Sequence, residues 1–242
     1  MDPDRDLDWA GMYNVRDLGG LPTRTGGSTR WGALVRSEGL DRLAPEGWSA
    51  LHRHGVRTCV DLRSGFEIRD ASYRPAASDV EVVWAPLEEG LLEDPQFRDW
   101  AETGALSCAL YYAAFLERWP ARVGAVARAI AAAGPGGVLY HCQRGRDRTG
   151  LVTLLLLMMA DVPSELIVAD HLATDERLVS HGLGLGHVGL NGETDLYAAR
   201  GTTQQATVGH LVDTLDIEDY LLGAGVPGDE LRILRDRLVT RG

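Results

Sequence analysis

The chain has 242 residues, 45% apolar and 24% charged, with 35 acidic against 24 basic side chains and a formal net charge of −11. That is enough for one well-buried core, read as a single domain over 1–242, and the acidic balance excludes a general nucleic-acid or anionic-membrane surface. Every basic residue is arginine, which excludes Schiff-base lysine chemistry and the G-x-x-x-x-G-K-[ST] phosphate loop. In chain order, residues 1–11 are polar and acidic, without a signal-peptide core. A strand is predicted over 31–36. A helix follows, with Pro45 in its first turn and Gly55 as its stop. A second strand over 56–62 leads to Ser64 and Glu67, spaced as a capping box that opens a short helix. A third strand is predicted over 80–86. Helical spacing runs over 107–133, broken at Pro120. A fourth strand, 137–142, precedes a stretch at 149–160 that is apolar on every side and so reads as a buried helix. Residues 163–178 and 228–239 read as amphipathic helices.

Strands alternating with helices predict an α/β architecture, a central, mostly parallel twisted sheet flanked by helices. The longest oily run, 151–160, is shorter than the about 20 residues a membrane span needs. Residues 180–194 carry Gly184, Gly186 and Gly189 in a G-x-G-x-x-G pattern. A dinucleotide fingerprint must follow a strand, and these glycines follow a helix, so the stretch is expected to be a loop or lid. The cysteines are Cys59, Cys108 and Cys142, odd in number with no C-x-x-C, which suits a reducing compartment. With the N-terminal reading, this gives a cytoplasmic protein. Cys59 reads as core, with a resolving thiol as the alternative. The His52-x-His54 pair reads as a solvated helix end, and no metal ligand set is found.

The chemistry concentrates at 138–157, VLYHCQRGRDRTGLVTLLLL. A buried strand, a short loop and a buried helix make an anion site, because successive backbone N–H groups and the helix dipole converge there. Gly145 permits a backbone conformation that other residues resist, and Arg148 can fork two hydrogen bonds onto one phosphate. A thiol at Cys142, on the edge of that nest, is expected to ionise well below the free value of about 8.5. The loop arginines and the helix end would then offset two negative charges that otherwise repel, the thiolate and the phosphoryl oxygens.

His141-Cys142-x-x-Gly145-x-x-Arg148-Thr149-Gly150 resembles the H-C-x-x-G-x-x-R-[ST]-G signature of cysteine-dependent phosphatases. More narrowly, the chain resembles the bacterial tyrosine-phosphatase family with G-K-D-R-T-G in this loop. Asn14-Val15-Arg16-Asp17 matches that family's N-x-R-D motif, Arg36-Ser37 its R-S, and 61–67 its D-L-R-S-x-x-E. Residues 167–172 and 219–226 extend the likeness over nearly the whole chain. The resemblance implies a tyrosine-phosphatase-like fold and a mechanism. Cys142 attacks phosphorus to form a phosphocysteine, and Arg148 and the loop amides hold the equatorial oxygens. Thr149 donates to the departing sulfur, and His141 braces the loop. Gln143, Arg144, Gly145 and Arg146 would contact substrate, with Asp17 beside the pocket or in a buried ion pair with Arg16. No cofactor or metal is implied.

Two departures stand out. The family's loop lysine is Arg146, which keeps the charge and changes the reach. No aspartate stands in 85–89, where the resemblance places a proton donor; Glu89, Asp94 and Asp147 are the candidates, Asp147 alternatively orienting Arg16. The expected partner is a phosphorylated protein or a small phosphate monoester such as a phosphoinositide, nucleotide or sugar phosphate. A non-catalytic phosphate-binding module is the rival. The oligomeric state is open.

Overall fold

The computed structural model describes residues 3–68, 80–183 and 189–241. The strands are β1 (Arg16–Asp17), β2 (Gly27–Thr29), β3 (Leu34–Ser37), β4 (Val56–Asp61), β5 (Glu81–Trp84), β6 (Gly137–His141) and β7 (Val239–Arg241). The helices are α1 (Pro45–Arg53), α2 (Gly65–Ile68), α3 (Pro95–Thr103), α4 (Tyr112–Arg118), α5 (Pro120–Ala132), α6 (Asp147–Met159), α7 (Ser164–Ser180), α8 (Gly189–Ala198), α9 (Gln204–Thr214), α10 (Ile217–Gly223) and α11 (Gly228–Leu238). Five strands form one sheet in the order β1-β3-β6-β4-β5, parallel except for β1, and β2 pairs with β7 separately. The predicted α/β class and mostly parallel sheet are therefore present, with many flanking helices.

Central β6 is buried along its whole length, because both of its faces are covered. Its side chains alternate between two cores. Val138 and Tyr140 join Leu34, Val60 and the apolar faces of α5 and α6; Leu139 joins Val35, Cys59, Trp48 and Leu51 on the other side. Cys59 and Cys142 thus belong to different cores, on opposite sides of the sheet. Helix α6 is apolar all round because it is covered all round. Pro45 opens α1, and Gly55, at φ +95°, stands just past its end, as the sequence predicts.

Parallel order brings the C-terminal ends of β3, β4 and β6 to one edge. There Ser37, Asp61 and His141 lie side by side, with Cys142 next in the chain. Loops leaving such an edge are where α/β proteins build their sites. The expected loop or lid over 180–194 is partly different. Gly184 and Gly186 fall outside the described residues, and from Gly189 the chain is helical as α8. Among the described residues, no helix is long and apolar enough to cross a membrane.

Helices α5 and α10 meet closely at Gly124, where an added Cβ would stand 2.2 Å from the Ala224 carbonyl oxygen. Gly124→Ala is expected to destabilise the protein by about 1–3 kcal/mol through overpacking, despite its better helix propensity. Urea denaturation checks this; unchanged stability would show that the two helices part freely.

Candidate active site

Residues 142–148 connect β6 to α6. Gly145 takes φ +66° against the backbone of Ser37 and Glu38, where a Cβ would lie 2.6 Å from backbone atoms, so only glycine fits. Three successive carbonyls of this loop are held from outside. The Gln143 oxygen accepts from the Gly39 N–H at 3.1 Å. The Asn14 side-chain amide donates to the Arg144 and Gly145 oxygens at 3.2 and 3.1 Å, and the Arg36 guanidinium donates to Gly145 at 2.7 Å. The peptides are trans, so each outward carbonyl turns the next N–H the opposite way. The N–H groups of Arg144, Gly145 and Arg146 therefore face the loop's concave side. The first turn of α6 adds N–H groups with no intrahelical acceptor.

A buried network holds these anchors. Arg16 donates to the Asn14 side-chain oxygen at 2.6 Å and fixes its amide. Arg5, Arg16 and Arg36 converge on Asp170 of α7, at 2.7, 3.4 and 3.0 Å, and Arg16 and Arg36 also donate to Thr174. Burial alone would raise the Asp170 carboxyl; the three guanidinium groups instead hold it well below the usual carboxylate range. Burial, then repulsion from Arg36, brings Arg16 down to about 9.

Cys142 is 3% exposed at the end of β6. His141 is fully buried; its Nδ1 lies 3.2 Å from the Cys142 carbonyl and its Nε2 3.8 Å from Asp61. Burial holds its ring below the ordinary histidine value, and its Nδ1–H donates to the carbonyl. Arg148 is gripped end-on by Glu67, at 2.5 and 2.8 Å from its two terminal nitrogens, and its Nε lies 3.3 Å from Glu88. Burial opposes its charge, but Glu88, Glu67 and the Cys142 sulfur outweigh burial and strengthen it. The Thr149 hydroxyl is buried without a hydrogen-bond partner among the described residues.

The remaining predicted residues separate. Gln143 and Arg144 are exposed at the rim of a cavity of about 330 Å³, also lined by Tyr13, Arg42, Leu178 and Leu183. Arg146 is buried and turned aside, paired with Asp175 and Glu193 at 2.6 Å each and donating to the Ser107 carbonyl. Its side chain ties α7 and α8 to the loop, while its N–H belongs to the concave face. The Asp147 carboxylate lies 3.5 Å from Arg146, and burial raises its carboxyl above the ordinary value. Asp17 points away from the loop because neighbours in a strand face opposite sides. It accepts from the Gly19 and Gly32 amides and from His54 at 2.7 Å, not from Arg16, which pairs with Asp170. His54 is accordingly a partner of Asp17, not a solvated helix end. Asp94 caps α3 and pairs with Arg118. Glu89 is exposed and accepts from the Gly65 N–H at 2.6 Å.

Sequence reasoning missed four contributors. Glu67 fills its capping role, accepting from the Ser64 N–H at 2.8 Å, and also grips Arg148. Glu88, on the loop after β5, lies 3.3 Å from Arg148 Nε. Asp170 and Glu193 arrive from α7 and α8. The 167–172 likeness held the only sequence signal for Asp170, and nothing local marks Glu193.

The profile of the tyrosine phosphatase family matches residues 7–240. The chain is 31% identical over 193 residues to the triple specificity protein phosphatase PtpB of Mycobacterium tuberculosis, covering 69% of this chain and 68% of the relative. It is 28% identical over 226 residues to a tyrosine-protein phosphatase of Nostoc commune, covering 87% and 75%.

Asp170→Asn leaves three buried guanidinium groups short of a counter-charge and is expected to cost about 3–5 kcal/mol. In the parent protein the Asp170 contribution is complete above the unfolded aspartate value of about 3.9 and is withdrawn as pH falls below it. Urea melts from pH 7 down to pH 3 check both statements. A variant as stable as the parent, with the same acid dependence, would contradict them.

Proposed function

Because the chain belongs to the tyrosine phosphatase family, whose members are cysteine-dependent phosphomonoester hydrolases, we propose that it cleaves its substrate through a phosphocysteine on Cys142. Phosphotyrosyl protein is the substrate class we favour. The observation that carries this reading is the loop with its carbonyls bound outward, which leaves its N–H groups for a phosphate, next to Arg148, whose charge the Cys142 sulfur favours. A phosphate group seats there, with its equatorial oxygens on the N–H groups and one edge of Arg148. The Cys142 thiolate attacks phosphorus as the ester oxygen leaves and takes a proton. Water then attacks the phosphocysteine, and the S–P bond breaks. Thr149, whose hydroxyl has no competing partner among the described residues, donates to the departing sulfur.

Gln143 and Arg144 meet the remainder of the substrate at the rim cavity. A second reading is a small phosphorylated molecule with another anionic group, such as a phosphoinositide, which Arg42 and Arg144 on that rim would meet, with Glu38 and Asp41 beside them. Glu89 and Asp147 are both turned to other partners, an amide and Arg146.

Turnover of an aryl phosphate in the presence of a chelator tests the reading. Cys142→Ser is expected to reduce it to background, and Arg148→Lys to lower kcat about 10²–10³-fold by losing the fork. A Cys142→Ser protein that turns over like the parent, or a parent that binds phosphate without turnover, would contradict it.

A further inference from the structure

Glu88 is a carboxylate at Arg148 that no step above uses. It stands on the loop after β5, with one oxygen accepting from the Tyr111 hydroxyl at 2.8 Å and the other 3.3 Å from Arg148 Nε. A guanidinium offers two forks, one between its terminal nitrogens and one that includes Nε. Glu67 occupies the first. The second is the edge open to a phosphate, and Glu88 faces it. Glu88 also borders a cavity of about 670 Å³ shared with Gly65, Phe66 and Glu89, which gives the carboxylate somewhere to go.

We propose that Glu88 occupies the phosphate edge of Arg148 in the empty enzyme, yields it to the substrate phosphate, and then serves as the proton donor to the leaving oxygen. This rests on the phosphocysteine reading of Cys142. An arriving phosphate dianion sets a second negative charge against Glu88, which leaves Arg148 and takes a proton from solvent. As the S–P bond forms and the ester P–O bond breaks, Glu88 passes that proton to the leaving oxygen. Its carboxylate next accepts a proton from the water that attacks phosphorus, and the S–P bond breaks to return the Cys142 thiolate. The groups around Glu88 suit this cycle. Burial raises its carboxyl above the ordinary value, Arg148 and the Tyr111 hydroxyl pull it down, and Asp147 and Glu67 push it up; Arg122 of α5 interacts electrostatically with it and with Glu89. Loss of Arg148 as a partner removes the strongest pull toward the charged form.

The test compares the parent with Glu88→Gln, which keeps shape and removes charge. Calorimetry with inorganic phosphate is expected to show about 3- to 10-fold tighter binding, because the amide does not contest Arg148 as a carboxylate does. Turnover of an alkyl phosphate is expected to fall about 10²-fold or more, while that of an aryl phosphate with an acidic phenol falls less than about 10-fold. Tyr111→Phe removes a donor to the carboxylate and is expected to move the alkaline limb of kcat to higher pH. Phosphate binding that is unchanged or weaker in Glu88→Gln, equal losses for both leaving groups, or an unmoved limb in Tyr111→Phe would overturn the proposal. A parent with no turnover would defeat the phosphocysteine reading, while the phosphate titration would still decide whether Glu88 contests Arg148.

Discussion

The site depends on which way three peptide groups face. Carbonyl oxygens turned toward the mouth of the 142–148 loop would repel a phosphate. Turned outward onto Gly39, Asn14 and Arg36, they present N–H groups instead. The cost of holding them outward is met deep in the molecule, where Asp170 carries three buried guanidinium groups, two of which fix the Asn14 and Gly145 contacts. Removing one member of such a cluster leaves buried charge uncompensated, which is why the network and the loop stand or fall together.

This ordering explains how an acidic protein makes a local anion site. The three loop arginines have different fates. Arg144 lies at the rim, Arg146 is consumed as a structural tie between α7, α8 and the loop, and Arg148 is held between Glu67 and Glu88. Carboxylates from distant segments set these fates, so the excess of negative charge positions the few cations that matter.

Much of the architecture was legible because it is periodic. Strands 56–62 and 137–142, the all-apolar helix after the loop, and the Pro45 and Gly55 boundaries follow from patterns contained within a few residues. The two-residue β1 is too short to leave a pattern, and its Arg16 and Arg36 partners look unlike core until Asp170 is seen beneath them. Glycine content suggested a loop up to 194, yet α8 begins at Gly189 and sends Glu193 to Arg146. Tertiary contact there overrides local propensity. The same division holds for the site. Cys142, Gly145, Arg148 and Thr149 sit in one contiguous motif and could be read together. Glu67, Glu88 and Asp170 could not be given their partners from spacing, because each meets the loop only through the fold. Spacing also could not separate Glu88 from Glu89: adjacent side chains leave the backbone in different directions, so Glu88 meets Arg148 while Glu89 accepts from the Gly65 N–H.

A crystal structure with bound tungstate or vanadate tests the central claim most directly. The account predicts the oxyanion on the N–H groups of residues 144–148, between the Cys142 sulfur and the Nε edge of Arg148, with the Arg144 and Gly145 carbonyls still on Asn14 and Arg36. An oxyanion bound elsewhere, or a loop whose carbonyls have turned inward around an empty nest, would contradict it.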